Sequence, residues 1–172
     1  MKKSLTVWQI AGFIFTSLAG VLLHFLFNWT NQSAVVGSFS AINESIWEHT
    51  KLLFFPMFVF ALVENRYIGK DYISFWCVKL FGIVSGVILI PVLYYTINGI
   101  FGVMPDWVNI AIFFIVTFFS YLLETKLLKN NLLNCTSSFV ALLILFLIAL
   151  AYAVLTFFPP NIPLFEDPMN PK

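Results

Sequence analysis

Five apolar runs, each broken off by a short polar or charged stretch, set the layout of this chain. They cover about residues 7–27, 43–64, 72–97, 107–124 and 137–157. A helix rises 1.5 Å per residue, so a bilayer core about 30 Å thick takes about 20 apolar residues to cross. Each run meets or approaches that length. In lipid, a single segment can satisfy its own backbone N–H and C=O groups only as a helix. The pattern therefore predicts an all-α fold, an integral membrane bundle of five transmembrane helices forming one membrane domain over residues 1–172. Residues 158–172 hold too many prolines for a helix and too few apolar residues for a sixth span, so they read as a tail.

Small residues refine the picture. Gly12, Thr16 and Gly20 recur every four residues in the first run, a face suited to close helix packing, and His24 continues that row. His24 is thus expected to face protein rather than lipid. Residues 28–40 are uncharged and rich in Asn, Ser and Gly, which predicts a loop. In the second run Asn43 is the expected N-cap, with Glu44 in the first turn at the positive end of the helix dipole. Pro56 lacks an N–H, so it should kink the helix and free a carbonyl near Leu52. The third run carries Gly82 and Gly86 at GxxxG spacing and a second kink at Pro91. Lys79, inside that run, is expected to snorkel toward its Lys70 end.

Composition narrows the class. The 172 residues are 60% hydrophobic and 10% charged, with 21 Phe, and the mean hydropathy is +0.94. Ordinary soluble domains carry about 25% charged residues. A net charge of +1 gives no basic face for nucleic acid, so the expected partners are membrane lipids and a small-molecule or lipid ligand. Lys2, Lys3, Arg66, Lys70, Lys126 and Lys129 sit at the N-terminus and in the second and fourth connections, while residues 28–40 and 98–106 contain no Lys or Arg. The positive-inside rule then predicts a multi-pass plasma-membrane protein with its N-terminus cytoplasmic and its C-terminus outside. Trp8 and Trp76 would mark the inner interface and Trp29, Trp47 and Trp107 the outer one. Cys77 and Cys135 lack metal spacing and would face the reducing side, so no disulfide is expected.

Chemistry concentrates in one stretch, Asn43-Glu44-Ser45-Ile46-Trp47-Glu48-His49-Thr50-Lys51. A charge at the bilayer centre costs roughly 2.5–3.5 kcal/mol on insertion scales, so this polar run demands partners or a task. The predicted topology brings it to the same depth as His24, with Asp106 capping the third connection nearby and the tail acids Glu166 and Asp167 as a rim. On one continuous helix Glu44, Glu48 and Lys51 would share a stripe, while Ser45 and His49 would share another about 100° away. The candidate ligand-binding residues are His24, Glu44, Ser45, Glu48, His49, Lys51 and Asp106.

Four readings of this constellation stay open. One is recognition or translocation of a small polar or amphiphilic ligand at a pocket near the outer leaflet, which the intramembrane ionisable groups favour. A second is an intramembrane, metal-assisted enzyme acting on a lipid. Ser45 near His49 has the elements of a nucleophile–base pair but no nucleophile elbow, and no catalytic residue or cofactor is assigned. No metal is assigned either; its candidate ligands are His24, Glu48 and His49, joined by Glu44 as a further oxygen donor. Yet Glu48 and His49 are adjacent and diverge by about 100°, and there is no HExxH pair. The fourth reading is structural, with Glu48 and Lys51 neutralising each other and the histidines bridging helices.

The run Asn43-Glu44-Ser45-x-Trp47-Glu48-His49-x-Lys51, preceded by His24-Phe25-Leu26 and followed by the tail Ile162-Pro163-Leu164-Phe165-Glu166-Asp167-Pro168, resembles the signature of a family of small multi-pass prokaryotic membrane proteins. That family is known as a domain of unknown function. The resemblance implies a compact bundle of about five helices and carries over no activity, substrate or cofactor.

Overall fold

A computed structural model describes residues 4–168. Among them there are six helices and no strand: α1 Leu5–Trp29, α2 Ala34–Gly37, α3 Ile46–Tyr67, α4 Phe75–Phe101, α5 Asp106–Asn130 and α6 Ser138–Phe157. All but α2 are long and apolar enough to cross a membrane. The five predicted spans are present, each extended or shifted by a few residues. The predicted loop at 28–40 contains the single turn of α2.

Helix α3 is the hub. It packs against α1, α4 and α6, while α5 closes the ring by packing on α1 and α4. The most apolar stretch of α3 is 67% buried, against 22–39% in the other four long helices. That difference lets α3 carry Glu48, Lys51 and Glu64 buried inside the bundle. On α1 the predicted small row is the buried one, comprising Gly12, Thr16 and Gly20 with Gln9 and Ser17. Its opposite face, including Val7, Ile10, Ile14 and Leu18, is exposed to the surroundings that lipid would occupy.

Two close approaches fix α1 on α3 and α4 on α5. A methyl added at Gly20 would lie 2.5 Å from Phe113 Cζ and 2.7 Å from the Leu52 carbonyl oxygen. Leu52 is the residue whose helical partner Pro56 removes, so its freed carbonyl is turned onto a residue with no side chain. Gly82 and Gly86 likewise make room for Glu124 and Ser120 of α5.

Several expectations fail for local reasons. Ser45, not Asn43, caps α3, accepting from the Glu48 N–H at 3.4 Å. Asn43 instead accepts from the Ser45 N–H at 2.9 Å, forming an Asx turn. The helix thus begins at Ile46, leaving Glu44 outside it rather than in its first turn. Trp76 is buried and Trp47 packs between Tyr152 and the tail residue Phe165, both at 4.6 Å, so both rings are engaged by protein. Lys79 does not snorkel; it is 1% exposed. Cys77 and Cys135 are joined in a disulfide with Cα atoms 5.7 Å apart. The first turn of α4 and the connection into α6 meet there, at the end of the bundle that carries Arg66, Lys70, Lys126 and Lys129. The expectation of free thiols rested on a reducing side, not on distance in the fold.

Candidate functional site

The nine-residue polar run divides into two groups that face away from each other. Glu48 and Lys51 turn inward between α3, α2 and α6. The Lys51 ammonium lies 2.5 Å from Glu48 Oε2 and donates to the Gly37 carbonyl at 2.8 Å and to Thr156 Oγ1 at 2.9 Å. That uses all three of its protons. Glu48 also accepts from the Ile42 N–H at 2.9 Å and from the Thr156 hydroxyl at 3.1 Å. With side-chain exposures of 0% and 2%, this pair is sealed and satisfied, the condition under which a buried ion pair persists. The buried Ser45 is occupied by its cap. None of the three lines the cavity described below.

Glu44, His49 and His24 form the second group. Because α3 starts at Ile46, Glu44 is free of the predicted stripe and swings across to the histidines. Its carboxylate oxygens lie 3.6 Å from His24 Nε2 and 3.4 Å from His49 Nε2. The two rings are stacked, with centroids 5.5 Å apart and planes at 29°. His49 Nδ1 lies 2.9 Å from the Ser45 carbonyl. A carbonyl only accepts, so Nδ1 carries the proton and Nε2 is the atom presented to Glu44. When His49 is protonated, its Nε2–H donates to Glu44 and, with the charges of both imidazoles, holds the carboxyl below its ordinary range against the opposing effect of partial burial.

This group forms the polar end of a cavity of about 530 Å³ between α1 and α5, roofed by α3 and α4. Asp106 and Asn109 of α5 add polar lining, and the walls are apolar, with Ile90, Phe113 and Phe114 among them. Val21, Phe25 and Ile110 line it too while lying 43–57% exposed, so the cavity opens sideways on the flank of the bundle. Asn109 keeps its side-chain oxygen buried without a protein donor. From the tail, Pro168 reaches the lining. Of the seven sequence candidates, His24, Glu44, His49 and Asp106 line the cavity; Ser45, Glu48 and Lys51 do not. Glu48 is therefore not beside the histidines with which the sequence grouped it as a metal ligand.

Sequence reasoning missed Asn109, and it missed a second polar cluster at the opposite end. There Lys79 Nζ lies 2.5 Å from a carboxylate oxygen of Glu64 and 2.5 Å from one of Glu124, and Gln9 donates to the other Glu64 oxygen at 2.6 Å. The available signal was depth, since Glu64, Lys79 and Glu124 each sit one or two turns from the same end of their helices.

Five apolar helices around a hub that carries buried ion pairs, with a lateral cleft ending in acids and imidazoles, define a multi-pass membrane protein with a candidate binding site. The chain belongs to the family described as Family of unknown function (DUF6512), which matches it over residues 1–172. No curated protein and no solved structure matches it.

Proposed function

We propose that the chain binds a membrane amphiphile in the cleft between α1 and α5. The observation that carries this reading is the cleft's polarity gradient: carboxylates, imidazoles and an undonated amide oxygen at one end, aromatic walls along the rest, and a mouth at bilayer depth. Pockets that are mostly apolar with a few convergent polar groups are the usual form of small-molecule sites. The lining contains two carboxylates and no Lys or Arg, so a head group that donates hydrogen bonds, such as an amine or a polyol, is favoured over a bare phosphate.

Binding is better supported than passage. Beyond Gly20 the row on α1 is closed, because Phe60 and Tyr121 crowd Gly12 and Thr16 pairs with the Tyr121 hydroxyl at 2.8 Å. By the positive-inside rule we place the histidine end toward the exterior of a plasma membrane; the disulfide at the other end is the observation that opposes this orientation.

Retention of a spin-labelled long-chain amine by purified protein in nanodiscs tests the reading. Val21→Trp combined with Ile110→Trp narrows the mouth without touching a buried polar group. It is expected to remove most of the bound signal while leaving the melting transition in place. Undiminished retention by the folded double variant refutes amphiphile binding in this cleft.

A further inference from the structure

We propose that His24, Glu44 and His49 form a binding site for a zinc-class divalent cation at the polar end of the cleft. One ligand atom from each of the three lies within 4.8 Å of the other two. The site stands on these side chains alone and holds whether or not the cleft's apolar half carries an amphiphile.

With Nδ1 donating to the Ser45 carbonyl, a neutral His49 turns the lone pair of Nε2 toward a carboxylate oxygen 3.4 Å away. Two acceptors that face each other need a positive charge between them. A proton on His49 supplies it for that edge only; His24 Nε2 lies 3.6 Å from the other oxygen and, with no acceptor fixing its tautomer, is available either as a donor to that oxygen or as a further ligand atom. Protonating both rings places two like charges on stacked imidazoles against a single carboxylate. One doubly charged ion serves all three groups at once.

Geometry and donor type agree. Zinc takes nitrogen and oxygen ligands at about 2.0–2.2 Å, which in a tetrahedron puts neighbouring ligand atoms about 3.3–3.6 Å apart. Each nitrogen has a Glu44 oxygen at such a distance, His49 Nε2 one of them at 3.4 Å and His24 Nε2 the other at 3.6 Å. Two imidazoles and a carboxylate suit zinc and its transition-metal neighbours rather than magnesium or calcium, which prefer oxygen alone. The Ser45 carbonyl orients His49 as outer-shell acceptors orient metal-binding histidines. Three protein ligands leave a fourth position, and the half-exposed Glu44 places that position toward the cleft.

The three donors come from separate pieces of chain: α1, the turn before α3, and α3 itself. A bound ion would therefore tie α1 to α3 across the polar end. Glu48 takes no part, being saturated by Lys51, Thr156 and the Ile42 N–H.

The test uses the full chain, stripped with a chelator and titrated calorimetrically with Zn²⁺ alone. Co²⁺ in a parallel titration reports coordination number through its visible spectrum. The expected result is one equivalent of Zn²⁺, a four-coordinate Co²⁺ spectrum, proton release on binding, and no competition from Mg²⁺. His24→Ala and His49→Ala should each weaken zinc by more than the roughly 10–100-fold that loss of an outer-shell partner costs. Asn109→Leu separates the two readings: it should impair retention of the long-chain amine and leave zinc binding intact. If either histidine variant fails to fold, protection of the wild-type histidines from diethyl pyrocarbonate by Zn²⁺ replaces it. Absence of stoichiometric uptake by folded wild type, or uptake undiminished when both histidines are replaced, overturns the proposal.

Discussion

Two clusters, one at each end of the bundle, handle ionisable groups in opposite ways. At the lysine-rich end, Lys79, Glu64 and Glu124 have side-chain exposures of 0–2%, and Lys79 also lies 5.4 Å from the Phe75 ring and 5.7 Å from the Tyr121 ring. At the histidine end His24, Glu44 and His49 are 28%, 46% and 26% exposed, and they border a cavity. The first cluster tethers α3, α4 and α5 and, through Gln9, α1. The second leaves nitrogen and oxygen acceptors facing one another beside open space. Charged groups in a membrane helix invite a functional reading by default. The comparison shows that depth alone is a poor guide. What separates anchor from candidate site is whether a ligand can reach the group.

Substitutions can break this distinction, and the largest effect belongs to the sealed end. Lys79→Ala strands two carboxylates with no cation, and loss of one partner of a buried ion pair costs about 3–5 kcal/mol. Folded yield and melting temperature should fall sharply. If His49→Ala destabilises as much as Lys79→Ala, the two clusters have the same role and the contrast fails. We expect instead that His49→Ala changes stability by less than about 1 kcal/mol, as for part-exposed ion pairs, while removing zinc uptake.

The smallest effect is a pH dependence confined to the open end. Glu44 has a carboxyl pKa lowered from its ordinary 4.5 by His49 and His24. Its contribution to stability is therefore fully present above pH 4.5 and is lost as the pH falls through the depressed value. Protection from hydrogen exchange in the turn before α3, corrected for the intrinsic slowing of exchange in acid, should fall below pH 4.5, and Glu44→Gln should flatten that response. A pH profile identical in wild type and variant would show that the carboxylate is not held by the imidazoles.

How much was legible in the sequence follows from which forces are local. Bilayer thickness dictates helix length, so the five spans could be read from apolar runs. The four-residue row ending at His24 placed that histidine against protein because helical period fixes a face. The cap could not be chosen, since Asn43 and Ser45 both suit it; a two-residue difference in helix start moved Glu44 from the company of Glu48 to that of His24. Lys79 was misplaced because a long side chain near a helix end has two outlets, and only the neighbours' rotation decides between them. The meeting of Cys77 with Cys135 depends on how α4 and the approach to α6 are arranged, which no spacing along the chain encodes.

One floor of the cleft is made of main chain. The Leu52 carbonyl oxygen rests on Gly20, a contact that is main chain on both sides and has no side chain whose exchange could deepen the chamber there. Any retuning of what fits there must come from the rings and branched residues along its sides, while the bottom stays at a fixed level set by a proline one turn away.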